Sequence, residues 1–593
     1  MSHAGLTEIP SGKTPAPAPS PRSGLAAFAA IFAALWLAHL PWLRLPFFWD
    51  EAGYFIPAAR DILLTGDPIP TTTLSNAHPP LVMFYLASLW KLTGTAPNAL
   101  NPLLTRSAML LVAALGLTAL WLIARRIADS ATACCAVLLT ALSPTIFAQS
   151  QMTQLDIAAF CLLLWTLYAH LFGRRWQAVL FAALAALAKE TTVVFTLTLF
   201  GFDLLTTIAQ RYRPQLAERL QLPRRTLAQA AAYLLALVPL IGWYAYHHHR
   251  TGHVFGNPDY LRYNVGATIT PLRIFLSAVM RLWHAVGYMN LFVLTFSAAA
   301  LAWDAHRNTP GNPTTPAQPE CHPERSEGPL SDPSISAPEK DQRPAYTTSA
   351  ATPAEAQSNF TPAIRLLFVL LILAQAAEFS VVGGALLARY MIPAIPLVVL
   401  ISVDVIRRHA PAWPLWIAGC ALAFVAALFL NPPWFISPED NLTWTDYVRM
   451  HQQAAQLVEQ RYPQAHILTA WTASDELTRP FLGYVQRPLT VVSLENFSAE
   501  EILRAQQQPE SFDVVVAFST KFEPPHGFFQ RIPGYTRIQS RYFDFHQDLP
   551  PATIARLLHG RIVWQKHTPG EWIAIIEIDK IRDARLRMPI CHP

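Results

Sequence analysis

The sequence predicts an α-helical polytopic membrane protein with about eleven membrane segments and a C-terminal external α/β domain. Three observations lead there. Hydrophobic residues make up 52% of the 593 residues and charged residues only 14%, with a mean hydropathy of +0.26, which is far from a soluble average. Apolar runs of about twenty residues, the length that crosses a hydrocarbon core, recur from residue 24 to residue 430. Beyond Asn441 they give way to helical stretches alternating with short apolar strands. The net charge of +5 is no nucleic-acid footprint, because the basic residues stand in pairs beside apolar runs rather than on one face.

Residues 1–23 are polar and rich in Pro and Ser, and read as a disordered cytoplasmic N-terminus. The apolar run after them is too long for a signal sequence, so the first helix is expected to remain as an anchor. Spans are predicted near 24–43, 103–124, 131–148, 155–172, 226–246, 282–303, 363–381, 390–406 and 412–430. Cytoplasmic loops retain Lys and Arg, which puts Arg125-Arg126, Arg174-Arg175, the stretch Arg211 to Arg225, Arg307 and Arg407-Arg408 inside. Between Arg175 and Arg211 the apolar stretch is too short for two ordinary spans. A hairpin of two short arms with Lys189-Glu190 at its apex reconciles length with charge, provided the apex is buried in protein or lines a wet cavity. With the hairpin counted as two segments, residues 24–430 form the membrane domain of a multi-pass inner-membrane protein, with 44–102, 247–273 and 431–593 external. The stretch 304–362, rich in Pro, Ser, Thr and Ala, reads as a disordered cytoplasmic loop. The region 431–593 is the external α/β domain, with strands expected at His466–Ala470, Leu489–Leu494 and Phe512–Phe518.

The chemistry-bearing residues gather on the outer side. Phe47-Phe48-Trp49-Asp50-Glu51 places two carboxylates among aromatics just after the first helix, where an apolar setting raises a carboxylate towards a useful base. The same loop carries His78-Pro79-Pro80-Leu81 ahead of an amphipathic helix with Tyr85 and Trp90. Asp156 opens the span after Gln149 to Gln154, and Lys189-Glu190 are ionisable residues inside an apolar segment, which are expensive and commonly face a cavity. Arg389-Tyr390 opens a span after Gly383-Gly384; a guanidinium there either snorkels or holds a phosphate. Asp404 near Arg407 reads as a local pair without function, and His247-His248-His249 lack the spacing that presents two metal ligands together. Four of the six cysteines lie inside apolar runs and form no disulfide framework.

In their order along residues 25–430, these features resemble the GT-C superfamily of integral membrane glycosyltransferases, nearest to its aminoarabinose transferase and protein mannosyltransferase branch. The resemblance rests on Asp50-Glu51, His78-Pro79-Pro80-Leu81, Asp156, Leu187-Ala188-Lys189-Glu190 and Arg389-Tyr390 with Pro393 and Pro396. It implies an undecaprenyl-phosphate-type sugar donor, a glycan, lipid or protein acceptor, and membrane lipids as surroundings. Asp50 is then the catalytic carboxylate, with Glu51 and Asp156 beside it, while His78, Lys189, Arg389 and Tyr390 hold the donor phosphate. The reading fixes no cofactor; where the acceptor is itself a phosphate, no base is needed and Asp50 would instead orient the acceptor or bind a divalent metal, a role Glu51 and Asp156 could share. The aminoarabinose transferases carry a lysine where this chain has His78, which leaves the donor sugar open. A transporter or flippase of lipid-linked saccharides is the rival reading, and the chain lacks the repeated halves common in transporters.

Overall fold

The computed structural model describes residues 21–75, 78–256, 258, 262–266, 269–308, 360–432, 436–522, 529–543 and 546–579. The polar N-terminal stretch lies outside the described residues up to 20, and the expected cytoplasmic loop lies outside them from 309 to 359. Most of the described residues between 24 and 430 are helical. Among the described residues five helices, Arg22–His39, Pro102–Ile127, Glu190–Tyr212, Leu227–Thr251 and Pro362–Val381, are long and apolar enough to cross a membrane, or six spans if one bent pair is counted. That count is smaller than about eleven because several apolar runs break or stay short. The run expected over 131–148 divides into Ser130–Leu142 and Pro144–Gln149, since Pro144 has no N–H to continue the helical ladder. The span expected over 282–303 divides as well. Pro271–Val286 and Leu291–Arg307 meet at 81°, around Met289 and Asn290, which both have left-handed backbone. Asn290 anchors that corner by donating from its side-chain amide to the Ala423 carbonyl at 2.8 Å.

The hairpin between Arg175 and Arg211 is present with unequal arms. Arg175–Ala188 has 14 residues and Val193–Tyr212 has 20, and Lys189 breaks the ladder with extended backbone at φ −153° and ψ 121°. The helix Pro102–Ile127 is the centre of the bundle: 72% of its apolar window is buried against 11% for Arg22–His39, which leaves the latter to face lipid. A Cβ on Gly116 would lie 2.5 Å from the Phe160 ring, so this glycine lets Pro102–Ile127 and Leu155–Leu171 approach closely.

The C-terminal region forms one five-stranded sheet in the order β2-β1-β3-β5-β4, with β1 His466–Ala470, β2 Thr490–Leu494, β3 Val514–Phe518, β4 Gly560–Thr568 and β5 Glu571–Ile578. The first three are the expected strands and run parallel; the β4–β5 hairpin adds an antiparallel edge. The sheet region sits on the loop that follows the first helix. Tyr484 donates its hydroxyl to the Phe47 carbonyl at 3.0 Å, Arg479 reaches the Thr72 carbonyl at 2.9 Å, and Trp471 packs so closely on Gly53 that a Cβ there would meet the indole at 2.8 Å.

Candidate active site

Four loops and helix starts converge at one end of the bundle. Asp50 precedes the short helical turn Glu51–Phe55, Asp156 lies in the first turn of Leu155–Leu171, Lys189 occupies the hairpin apex, and Arg389 sits in the turn Ala388–Met391. Trp49, just before Asp50, has φ +51°, a left-handed conformation that is costly for a bulky residue. Aromatic packing holds it there, with ring centroids 5.7 Å from Phe48, 5.8 Å from Tyr447 and 5.2 Å from Trp471.

Arg389 is the hub. Its Nη2 donates to Asp50 at 2.5 Å and its Nη1 to Glu439 at 2.7 Å, while its Nε lies 3.7 Å from Asp156. Lys189 Nζ donates to the other Asp156 oxygen at 2.5 Å and stands 4.5 Å over the Tyr390 ring, which stacks on Phe379. Asp50, Asp156, Lys189 and Arg389 are thus brought into one ionic cluster, with Tyr390 as an aromatic floor. Asp50 is its most open member, with 17% of its side chain exposed against 8% or less for the others.

The segment that presents Arg389 is itself pinned by buried guanidiniums. Along Pro271–Val286 the polar residues Arg273, Ser277, Arg281 and His284 face inward at helical spacing while Phe275 and Val279 are exposed. Arg281 donates to the carbonyls of Phe379, Ala385 and Leu387, and Arg273 to those of Gly383 and Gly384. These contacts supply partners to carbonyls of an irregular stretch inside the bundle.

His78 joins the cluster indirectly. Its Nδ1 donates to the Glu190 carboxylate at 2.9 Å, so Lys189 and Glu190 engage Asp156 and His78 respectively. His78 also lines a cavity with Tyr54, Phe55, Ser75, Met83 and Trp243, one helical turn from Asp50. Ser75 is hydrogen-bonded to His247 at 2.7 Å, which gives that histidine a local partner.

Glu51 points elsewhere. Its side chain is fully buried and accepts from Arg106 Nη2 at 3.1 Å, the Phe48 amide at 3.0 Å and the Thr153 amide at 2.7 Å. It ties the Asp50 loop to the loop before Asp156 and to the central helix. Asp50, Glu51 and Asp156 therefore do not converge on one point, and among the described residues no group of three or more His, Cys, Asp or Glu side chains is placed to hold a metal ion.

Glu439 was not among the residues singled out from the sequence. It lies in the turn Pro438–Asp440 that follows the last apolar helix. A signal was available: Trp434-Phe435-Ile436 followed by Glu439-Asp440 repeats the pattern of aromatics and paired acids that marked Asp50-Glu51. Burial pushes the Glu439 carboxyl up to about 8, against the pull of Arg389. Burial likewise raises Asp440 to about 6, opposed by the hydrogen bond from the Tyr288 hydroxyl at 2.7 Å.

No family model matches the chain, and no curated protein matches it. Among solved structures it is similar to ArnT from Cupriavidus metallidurans bound to undecaprenyl phosphate, at 13% identity and a TM-score of 0.48, over 95% of this chain and 99% of that one. The apo state of the same protein matches at 14% identity and a TM-score of 0.47, over 94% and 98%. The Archaeoglobus fulgidus oligosaccharyltransferase in its apo form matches at 12% identity and a TM-score of 0.41, over 84% of this chain and 70% of that one.

Proposed function

We propose that this chain is a membrane glycosyltransferase that moves a sugar from a polyprenyl-phosphate donor to a hydroxyl of a lipid, glycan or protein acceptor on the outer side of the cytoplasmic membrane. The observation that carries the reading is the ionic cluster itself: one comparatively open carboxylate, Asp50, beside two buried cations, at the mouth of an apolar helix bundle. Such clusters of perturbed and paired ionisable groups gather at functional sites. The order of motifs along the sequence, which resembles the GT-C superfamily, supplies the chemistry.

In the transfer step the acceptor oxygen bonds to the sugar's anomeric carbon, the bond from that carbon to the phosphate oxygen breaks, and its electron pair leaves on polyprenyl phosphate. Asp50 takes the acceptor's proton as general base. Arg389 and Lys189 stabilise the charge growing on the leaving phosphate. Both cations already carry carboxylates, so the phosphate must compete for Arg389 with Asp50 and Glu439, and for Lys189 with Asp156. Glu51, with its oxygens occupied, braces the loop that presents Asp50.

The test is sugar transfer in nanodiscs together with mass spectrometry of lipid copurifying with the chain. A polyprenyl phosphate or its sugar ester bound to wild-type protein, with transfer abolished in Asp50→Asn, supports the reading. Movement of an intact lipid-linked saccharide across the bilayer without transfer would replace it with the transport reading. Sidedness is tested by an impermeant thiol reagent on intact cells: a cysteine at Ser474 is expected to be labelled and one at Ser326 protected.

A further inference from the structure

The two carboxylates that hold the ends of Arg389 are not equivalent. Asp50 has 17% of its side chain exposed, whereas Glu439 has 2%, and its second oxygen, Oε1, is buried without a hydrogen-bond partner. The charged groups facing Glu439 are Arg389 on one side and the carboxylates of Asp50, Asp440 and Asp156 on the others. The neighbouring helices add no cation in contact with Glu439: Arg281 acts on Asp440 in the same turn, Tyr288 donates to Asp440, and the Gln149 amide donates to the Glu439 carbonyl at 3.3 Å. Arg389 is thus the one cation that Glu439 contacts among the described residues.

We propose that Glu439 is a positioning residue that holds Arg389 in the resting site and is displaced from it by the donor phosphate, so that donor binding is coupled to the uptake of one proton by Glu439. The inference rests on the donor reading above. A phosphodiester reaches Arg389 only by sharing donors with Asp50 or Glu439. Asp50 retains contact with water and can stay ionised when its partner turns. Glu439 would be left inside a shell of acids with no cation, and a buried carboxylate in that position takes a proton rather than keep its charge.

The sign of the pH dependence follows. With Arg389 in contact, Glu439 titrates near 8; Arg389 lowers that value, so its loss to the phosphate raises it further. Below about pH 7 the carboxyl is neutral in both states and nothing is taken up, while at about pH 9 the bound state holds close to one proton more than the free state. Donor affinity therefore falls as pH climbs through 8.

The probe is undecaprenyl methyl phosphate, a diester whose head has no proton to exchange in this range, titrated into the full chain in nanodiscs in two buffers of different ionisation enthalpy. Wild-type protein is expected to show uptake rising from near zero at about pH 6.5 towards one at about pH 9. Glu439→Gln should bind without uptake, with an affinity flat in pH and about tenfold tighter than wild type at about pH 9. Glu439→Asp, which restores a carboxyl, should restore the pH dependence. Wild-type binding without uptake at about pH 9, or unchanged uptake in Glu439→Gln, overturns the inference and leaves the donor reading intact; absence of binding by wild type at every pH overturns both.

Discussion

The helix Leu155–Leu171 carries a buried ionic cluster at each end, separated by about 21 Å at the rise of an α-helix, and the two differ in how their charges are matched. At the His170 end, Asp203 lies 3.1 Å from Arg225, and His170 Nδ1 is 2.7 Å from the Tyr233 hydroxyl. One carboxylate meets one guanidinium, with His170 Nε2 3.9 Å from the same carboxylate; Asp203 Oδ1 and Arg225 Nε are buried without a hydrogen bond, yet the charges balance one to one. At the Asp156 end, three carboxylates share two cations, Glu439 keeps a buried oxygen without a partner, Trp49 holds a left-handed backbone, and an aromatic-lined cavity adjoins. A one-to-one pair balances its own charge and closes a gap between helices. An excess of acid around a shared guanidinium is an arrangement that an incoming anion or proton can change.

The largest expected effect breaks the unmatched end. Asp50→Asn keeps the shape and a hydrogen-bond acceptor for Arg389, but it cannot take a proton, so transfer should fall by about 100- to 10,000-fold. Donor binding should survive. The corresponding change at the matched end, Asp203→Asn, should leave transfer per folded molecule at the wild-type level. Single-turnover transfer and donor binding in nanodiscs separate the two; near-wild-type transfer by Asp50→Asn would remove it from the mechanism.

Next comes the brace. Glu51→Gln leaves Arg106 buried with its charge unbalanced, and breaking a buried pair in this way costs about 3–5 kcal/mol. The expected result is a lower unfolding temperature in detergent, with transfer reduced only in proportion to the folded fraction. A stable Glu51→Gln protein with lost transfer would instead place Glu51 in the chemistry with Asp50.

A smaller effect is expected at the hub. Arg389→Ala removes a charge-assisted phosphate contact of about 1.5–3 kcal/mol, roughly 10- to 150-fold in donor affinity. Arg389→Lys restores the charge without the planar fork that spans Asp50 and Glu439, so it should recover activity only in part. Donor titration of both variants checks this, and unchanged binding by Arg389→Ala would exclude the phosphate role.

Much of this comparison was legible in the sequence, because membrane helices announce themselves by length and apolarity and because charges inside them are rare enough to notice. Asp50, Asp156, Lys189 and Arg389, chosen one by one, meet in a single cluster. What the sequence hid is partnership across distance. Arg389 and Asp50 are 339 residues apart, and Glu439 lies 50 residues beyond Arg389 in a turn after the last apolar run, where a carboxylate is ordinary. Asp404, read as a partner of Arg407, meets Arg408 and Arg365 instead, since i and i+4 share a helix face more closely than i and i+3 do here. The orientation of Glu51 away from Asp50 was equally invisible: adjacent residues in a helical turn point about 100° apart, and only the position of Arg106 decides which is buried. The β4–β5 hairpin escaped although its strands are longer than β1 or β3: β4 has no fully buried residue and so a weaker apolar signal, whereas the largely buried β5 was readable and missed.

The smallest expected effect lies at the end of the bundle away from Asp50, where Arg407 pairs with Asp129. Asp129 has 43% of its side chain exposed and also caps its own helix by accepting from the Thr132 amide at 2.8 Å, while Arg407 additionally lies 4.7 Å over the Trp413 ring. Arg407→Gln removes the ion pair and keeps the cap, so the loss is that of a solvent-screened pair, about 0–1 kcal/mol. Raising the salt concentration should shrink even that difference, because exposed charges are screened within about one Debye length. Transfer should not change, since Arg407 closes the helix Ile395–His409 at the end opposite to Arg389. Thermal unfolding at low and high salt, beside a transfer assay on the same preparation, makes the measurement. A fall in transfer by Arg407→Gln without loss of fold would show that the two ends of the bundle are coupled, and the division between a matched structural end and an unmatched reactive end would fail.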